Sequence, residues 1–154
     1  MNDSTKPQGC TSFKVRQLMR RVSQHYDTEM AQSGLRTTQY SLLSHVVKLG
    51  PSRPVDLAAA MKMTASTLSR NLQPLIAAGW LTMGAGADAR SRLIQITPDG
   101  IAKRLEGQKH WKVAQKTLND RLGTARVLAL HALIDDSLDL LGPLGEDTPS
   151  AHDD

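Results

Sequence analysis

The chain of 154 residues has a single cysteine, Cys10, and no stretch that approaches the roughly 18 apolar residues of a membrane-spanning helix. One thiol cannot form an internal disulfide, so a disulfide-stabilised secreted domain is excluded. The first residues also lack the apolar run of a secretory signal peptide. These absences predict a cytoplasmic protein with no membrane partner.

Metal-binding and catalytic patterns are missing as well. The five histidines lie in different segments without a short paired spacing; they are His25, His45, His110, His131 and His152. No glycine-rich phosphate loop follows a predicted strand, and no nucleophile lies in a recognisable elbow motif. We therefore predict no metal, no cofactor and no catalytic residue, and we predict that the protein is not an enzyme.

Opposite charges are concentrated in different parts of the chain. A length of 154 residues, with 40% hydrophobic and 22% charged residues, is typical of one globular domain. The net charge is +4, but residues 36–104 hold nine Lys or Arg and three acids, whereas residues 135–154 hold seven acids and no Lys or Arg. A basic middle region is typical of a surface that contacts nucleic acid. The acidic end is expected to face away from phosphate or to lie disordered in solvent.

Apolar residues recur at helical spacing over most of the chain. The pattern predicts helices near 11–33, 37–49, 54–61, 64–78, 98–122 and 124–141. Gly34 is expected to end the first of them, and Thr97 followed by Pro98 is expected to begin the fifth. In the last helix one stripe is expected to be buried; it consists of Val127, Leu130, Ile134, Leu138 and Leu141.

The segment from Met63 to Trp80 has the features of a DNA-recognition helix. Thr64 can cap it, and Gly79 can end it. Leu68, Leu72, Leu75 and Ile76 share one face, while Ser66, Arg70 and Gln73 project from the opposite face. Short hydrogen-bonding side chains around one arginine suit the major groove of DNA.

A β-hairpin follows this helix. Residues 80–83 and 93–97 read as two short strands joined by a glycine-rich loop, whose tip carries Asp88, Arg90 and Arg92. Arginines on such a ribbon can enter the narrow, strongly negative minor groove, and the Asp88 carboxylate can hold a neighbouring guanidinium. A solvated turn with ordinary surface charge is the alternative, but a helix and a hairpin in this order favour a winged helix-turn-helix.

The chain at this point resembles the MarR family of winged-helix regulators. The resemblance rests on residues 57–63, 67–70, 75, 78–81, 88–90 and 96–100, of which the Asp-x-Arg wing and the entry to the next helix at 96–100 are the most specific. It implies an obligate dimer that binds a pseudo-palindromic DNA operator and leaves it on meeting a small ligand or an oxidant. It also implies DNA contact by Ser66, Thr67 and Arg70, and minor-groove contact by Arg90. Pro74 departs from the family pattern and is expected to bend the helix.

The resemblance implies a mainly α fold with a small β-wing, in which a winged helix-turn-helix is flanked by N- and C-terminal dimerisation helices. Residues 11–141 would form a single domain between a disordered start, 1–10, and a disordered acidic tail, 142–154. Within it, 36–100 would be the DNA-binding region, and 11–35 and 101–141 would be the dimerisation helices. Long apolar helices at both ends leave more apolar surface than one small protomer can cover, which also favours a homodimer.

The position of an effector site can be suggested from charge and shape. Arg16 and Arg20 lie one turn apart on the first helix, and Tyr40, His45 and Trp111 could supply polar or aromatic walls. Such a pocket would suit a small aromatic carboxylate held by an arginine. In the alternative, both arginines are solvated and Trp111 anchors the dimer.

Cys10 is a candidate redox sensor, because a helix N-terminus favours the thiolate. One branch of the MarR family senses organic peroxides through a cysteine early in the first helix that is hydrogen-bonded to tyrosines, and Tyr26 could match one of these. A thiol without a role on a frayed end is the alternative.

The overall expectation is a repressor that a small ligand releases from its operator. The alternatives are a repressor that senses an oxidant through its cysteine, a winged-helix module that binds other proteins, and an enzyme.

Overall fold

The computed structural model describes residues 6–84 and 92–145. Within these ranges there are six helices and one two-stranded sheet, in the order α1 Thr11–Met30, α2 Thr37–Leu49, α3 Pro54–Ala60, α4 Ala65–Ala77, β1 Leu81–Gly84, β2 Leu93–Ile96, α5 Pro98–Leu122 and α6 Thr124–Leu141. A short 3₁₀ turn, Ala31–Ser33, extends α1. The predicted fold, mainly helical with a small β-wing, is therefore confirmed.

The helix ends follow the local signals in the sequence. Gly34 takes a left-handed conformation, with φ of 74°, and ends the segment formed by α1 and its 3₁₀ turn. Thr97 caps α5 by accepting a hydrogen bond from the Gly100 amide at 3.0 Å, and Pro98 occupies the first helical position. Gly123 separates α5 from α6 with φ of 85°. The predicted starts of α5 and α6 are both correct.

The core lies in the middle of the chain, between α2, α3, α4 and the sheet. The fully buried side chains come from every one of these elements and from the end of α1; they include Met30, Leu42, Leu43, Val46, Leu57, Leu68, Leu72, Leu75, Leu81 and Ile94. Burial of each such side chain contributes about 1.5–3 kcal/mol relative to exposure. The helix that precedes the hairpin is thus held from behind by a continuous apolar core.

Helix α5 crosses this core at a glycine. A β-carbon on Gly107 would lie 2.9 Å from Leu35 Cδ1 and 3.1 Å from Tyr40 Cδ2, so a larger residue would have to displace these side chains for α5 to approach this closely. Beside it, Tyr40 stacks on Trp111 with ring centroids 5.9 Å apart and an interplanar angle of 29°. Tyr40 is 6% exposed and belongs to the core.

The two terminal helices leave apolar faces open. Of the stripe predicted to be buried in α6, only Val127 is buried in the described part of the chain; Ile134 is 45% exposed and Leu141 82% exposed. The prediction of a buried stripe is therefore wrong for a single protomer, because periodicity shows which residues share a face and not what covers it. Val15 and Met19 of α1 are also exposed, and α1, α5 and α6 together line an apolar groove of about 260 Å³.

Candidate nucleic-acid interface

Helices α3 and α4 form a helix-turn-helix. The turn between them is closed by the Met63 amide, which donates to the Ala58 carbonyl at 3.0 Å, and by the Lys62 amide, which donates to the Ala59 carbonyl at 3.1 Å. Lys62 takes φ of 53°, a left-handed conformation that non-glycine residues rarely adopt and that reverses the chain within one residue. The turn fixes the angle at which α4 leaves the core.

The start and the inner face of α4 are as predicted. The Thr64 hydroxyl accepts a hydrogen bond from the Thr67 amide at 3.2 Å and so caps the helix. Leu68, Leu72 and Leu75 are each at most 1% exposed, whereas Ile76 is only partly buried. The inner face therefore fixes the rotation of α4 about its axis, and with it the direction of the outer face.

The outer face of α4 carries the residues predicted to contact DNA. Ser66, Arg70 and Gln73 are exposed, and Thr67 is half-buried beside the cap, where its hydroxyl accepts from that of Thr64 at 2.9 Å. Pro74 has no amide hydrogen and cannot donate to the Arg70 carbonyl, yet α4 continues to Ala77. The polar face thus extends over more than two turns before the proline.

A cleft of about 390 Å³ lies between the start of α2 and the middle of α4. Arg36 borders it from the α2 side and Arg70 from the α4 side, and both are exposed. Neither guanidinium forms an ion pair with a carboxylate of the described residues. The cleft is lined by Arg36, Thr38, Gln39, Leu42, Arg70, Asn71 and Pro74. Arg36 and Asn71 are not among the predicted site residues, although the helix N-terminus that follows Arg36 is a general position for binding anions such as phosphate.

The hairpin after α4 is supported at its base by a third segment. β1 and β2 pair antiparallel, with Leu81 opposite Ile96 and Gly84 opposite Leu93. Ser52, in the link between α2 and α3, pairs with Ile94, whose amide donates to the Ser52 carbonyl at 2.8 Å. Arg92 is exposed directly before β2. The other two predicted wing residues, Asp88 and Arg90, lie outside the described residues.

A compact joint connects the end of α4 to the start of α5. The Thr97 hydroxyl donates to the Gly79 carbonyl at 2.6 Å, and the Thr97 amide donates to the Trp80 carbonyl at 3.0 Å. A β-carbon on Gly100 would lie 2.1 Å from the Trp80 carbonyl oxygen, so the backbones are in direct contact. The Lys103 ammonium lies 5.6 Å from the centroid of the Trp80 ring, within range of a cation–π contact. The end of α4 is therefore packed directly against the start of α5.

Polar contacts also join α1 to its neighbours. One carboxylate oxygen of Asp27 accepts hydrogen bonds from the Thr37 amide at 2.8 Å and from the Thr37 hydroxyl at 2.7 Å, and so caps α2 from another helix. His110 of α5 lies 3.1 Å from the Glu29 carboxylate. The Tyr26 hydroxyl donates to the Gln115 side chain, and partial burial raises the pKa of Tyr26 above its usual value. The start of α2, at the edge of the basic cleft, is thus held by the N-terminal helix.

The five residues suggested for an effector site do not line a common cavity among those described above. Arg16 and Arg20 are exposed on α1, and Arg16 donates to the Ser12 hydroxyl at 2.9 Å. Tyr40 and Trp111 pack on each other at the core, and His45 lies 2.8 Å from the Ser41 carbonyl within α2. Side chains from α1, α2 and α5 cannot be assigned to one pocket from helical spacing alone, because that depends on how the helices pack.

Cys10 is exposed and lies directly before the first residue of α1, as the sequence predicted. Within one protomer, Tyr26 is sixteen residues further along the helix, about 24 Å at the usual helical rise. The Tyr26 hydroxyl is bonded to Gln115. Tyr26 therefore cannot be the hydrogen-bond partner of Cys10 in the same protomer.

Residues 6–84 and 92–145 contain neither a metal-binding cluster nor a membrane-spanning helix. Within these ranges no three His, Cys, Asp or Glu side chains form a group that could hold a metal ion. In the same ranges no helix is long and apolar enough to cross a membrane. The exposed polar face of α4 and the basic cleft beside it remain as the candidate site.

A helix-turn-helix with its outer face exposed, followed by a hairpin, defines the class of winged-helix DNA-binding proteins. Comparison with known proteins is more specific. A sequence model described as the MarR family matches residues 33–91. The transcriptional regulator MosR of Mycobacterium tuberculosis, solved in complex with DNA, is 30% identical, with 84% of this chain and 98% of that chain covered and a TM-score of 0.70.

Two further relatives agree. A probable transcriptional regulator from Pseudomonas aeruginosa is 23% identical, with 84% of this chain and 97% of that chain covered and a TM-score of 0.73. The uncharacterized HTH-type transcriptional regulator YwoH of Bacillus subtilis is 23% identical over 90 residues, which span 58% of this chain and 66% of YwoH. The protein belongs to the MarR family of transcriptional regulators. Members of this family are DNA-binding regulators and not enzymes, which confirms the exclusion of catalysis.

Proposed function

We propose that this MarR-family regulator is a homodimeric repressor that binds a pseudo-palindromic operator in the cytoplasm. The observation that carries the proposal is the outer face of α4, where Arg70 faces the basic cleft while Leu68 and Leu72 fix the helix from behind. A helix held in this way can enter a major groove without changing its orientation. DNA in the complex of the relative MosR supports a DNA partner here.

Different parts of the site would have different tasks. Ser66, Thr67, Arg70 and Gln73 would read base edges in the major groove. Arg36, at the start of α2, would contact a phosphate and so set the register of the protein on the duplex. The wing, with Arg90 and Arg92, would enter the adjacent minor groove, with Asp88 orienting a guanidinium.

A dimer is required by this way of reading DNA. Two α4 helices must lie about 34 Å apart to enter successive major grooves on one side of the duplex. The exposed apolar faces of α1 and α6 support an interface formed by the terminal helices, away from α4. A change in the packing of α1 against α5 would alter the distance between the two α4 helices and release the operator.

Replacing Arg70 with alanine should weaken operator binding by about 1–3 kcal/mol, because a guanidinium that contacts a base or a phosphate is lost. The operator is first selected from a random duplex library, and affinity is then measured by fluorescence anisotropy. The matched control is Arg126→Ala, since Arg126 lies on α6 and donates to the Leu122 carbonyl. Equal affinity of the two variants would contradict the assignment of α4 as the reading helix.

The proposed signal is a small ligand, for which an aromatic carboxylate is the first class to test. Arg16 and Arg20 are exposed and remain candidates for binding the carboxylate of the ligand. Tyr40 is buried and therefore cannot form the wall of an open pocket. Sensing of an oxidant by Cys10 is the second candidate, and the exposure of this thiol favours it. The bond between Tyr26 and Gln115 supports the ligand over the oxidant, because a peroxide-sensing thiol needs tyrosine partners.

We expect peroxide to affect operator binding of the parent and of Cys10→Ser to the same extent, because a ligand-controlled switch does not depend on the thiol. Both proteins are titrated with cumene hydroperoxide on the labelled operator, and an aromatic carboxylate series is run in parallel. A Cys10→Ser protein that stays on the operator under peroxide while the parent leaves it would establish Cys10 as the sensor.

A further inference from the structure

The exposed α1 and α6 helices carry charges of opposite sign beside their apolar stripes. Residues 11–21 contain Lys14, Arg16, Arg20 and Arg21 and no acid. Residues 130–141 contain three acids, Asp135, Asp136 and Asp139, and no Lys or Arg. All seven side chains are exposed. Within one protomer none of them forms an ion pair with another described residue.

The spacing of the charges is the same on both helices. The apolar stripe of α1 includes Val15 and Met19. Arg16 follows Val15 by one position, and Arg20 follows Met19 in the same way. On α6, Asp135 and Asp139 follow Ile134 and Leu138 in the same way. Each pair is one helical turn apart and so lies along one flank of its stripe.

Like charges one turn apart repel each other, so each pair destabilises its own helix. A neighbouring helix of the opposite charge offsets this repulsion. When two helices pack antiparallel through their stripes, the two flanks that follow the stripe by one position lie on the same side. Arg16 then faces Asp139, and Arg20 faces Asp135. The equal spacing allows both pairs to form at once.

We propose that in the dimer α6 of the partner packs antiparallel on α1, and that Arg16 and Arg20 of one protomer pair with the acidic flank of the partner's α6. The proposal rests on the dimer of the proposed function and specifies which residues of α1 and of the partner's α6 face each other. A second copy of this chain is the occupant that fits, because it brings both an apolar stripe and the complementary charges. By symmetry the dimer contains this contact twice.

Charge reversal tests the pairing. Arg16→Glu with Arg20→Glu gives the α1 variant, and Asp135→Lys with Asp139→Lys gives the α6 variant. We expect each variant to have a dimer dissociation constant at least about tenfold higher than the parent at low salt, since like charges are then brought together. An equimolar mixture should form heterodimers about as tight as the parent dimer, and the chain with all four substitutions should form homodimers. Sedimentation equilibrium and native mass spectrometry measure these species.

Lys48→Glu with Lys62→Glu is the matched control for the α1 variant, because it makes the same change in net charge on exposed residues outside α1 and α6. Recovery of a dimer in the mixture also shows that both variant chains are folded. If the parent is a dimer and the variants dimerise as tightly as the control, the pairing is overturned and the proposed function stands. A mixture no tighter than its components also overturns the pairing. A parent that is monomeric and does not bind DNA overturns the proposed function itself.

Discussion

Replacing Gly100 with alanine should lower the free energy of unfolding by about 3 kcal/mol. Gly100 is in the first turn of α5, and alanine is favoured over glycine in a helix by about 1 kcal/mol. In this protein the added β-carbon would lie 2.1 Å from the Trp80 carbonyl oxygen and 2.8 Å from Ile96 Cγ1. A backbone carbonyl cannot turn away as a side chain can, so α5 must move off the end of α4.

The same variant should bind the operator more weakly, because Thr97 can no longer hold the Gly79 and Trp80 carbonyls in place. Urea unfolding followed by circular dichroism gives the stability, and anisotropy at a temperature where the variant is folded gives the affinity. Gly145→Ala is the control, since a β-carbon there meets nothing within 4 Å. A Gly100→Ala protein at least as stable as the parent would mean that helix propensity dominates and that the joint is not closely packed.

Operator affinity should fall by about 10³–10⁵-fold between 50 and 200 mM salt, the range for a protein that contacts six to ten phosphates. The basic middle of the chain is the physical reason, since counterions are released where Lys and Arg neutralise the DNA backbone. In this interpretation Arg36 accounts for one contact in each protomer. Arg36→Ala should therefore reduce the slope of the logarithm of affinity against that of salt by about one for each copy bound.

A salt titration also separates the two classes of partner. A winged helix that binds another protein through an apolar surface would keep its affinity across the series, and no duplex would be retained. Lys112→Ala serves as control, because Lys112 is exposed on α5, outside both α4 and the basic cleft. A slope that does not change in Arg36→Ala would show that the cleft does not contact a phosphate.

Local signals allowed much of the fold to be predicted. Caps such as Thr64 and Thr97 act on amides three residues away, and the leucines of α4 repeat within one helix, so a short stretch contains all the information. The polar face of α4 was predicted for the same reason. It points outward because the opposite face is apolar.

Long-range contacts could not be predicted in this way. Ser52 pairs with Ile94 across 42 positions of sequence, and Asp27 caps a helix to which it does not belong. The surroundings of the suggested effector residues could not be predicted for the same reason, since Tyr40 meets Trp111 where α5 approaches closely at Gly107. Similarly, the sequence of α6 shows which residues form an apolar face, but not what covers that face; in the proposed dimer a second chain covers it.

The contacts between α1 and α5 have a consequence during synthesis of the protein. His25 lies 2.9 Å from the Ala114 carbonyl oxygen across 89 positions of sequence. At a translation rate of about 5–20 residues per second, α1 leaves the ribosome on the order of 10 s before this part of α5 does. During that time Val15, Leu18 and Met19 have neither α5 nor another protomer to cover them, so α1 is the segment of the nascent chain that a chaperone would meet first.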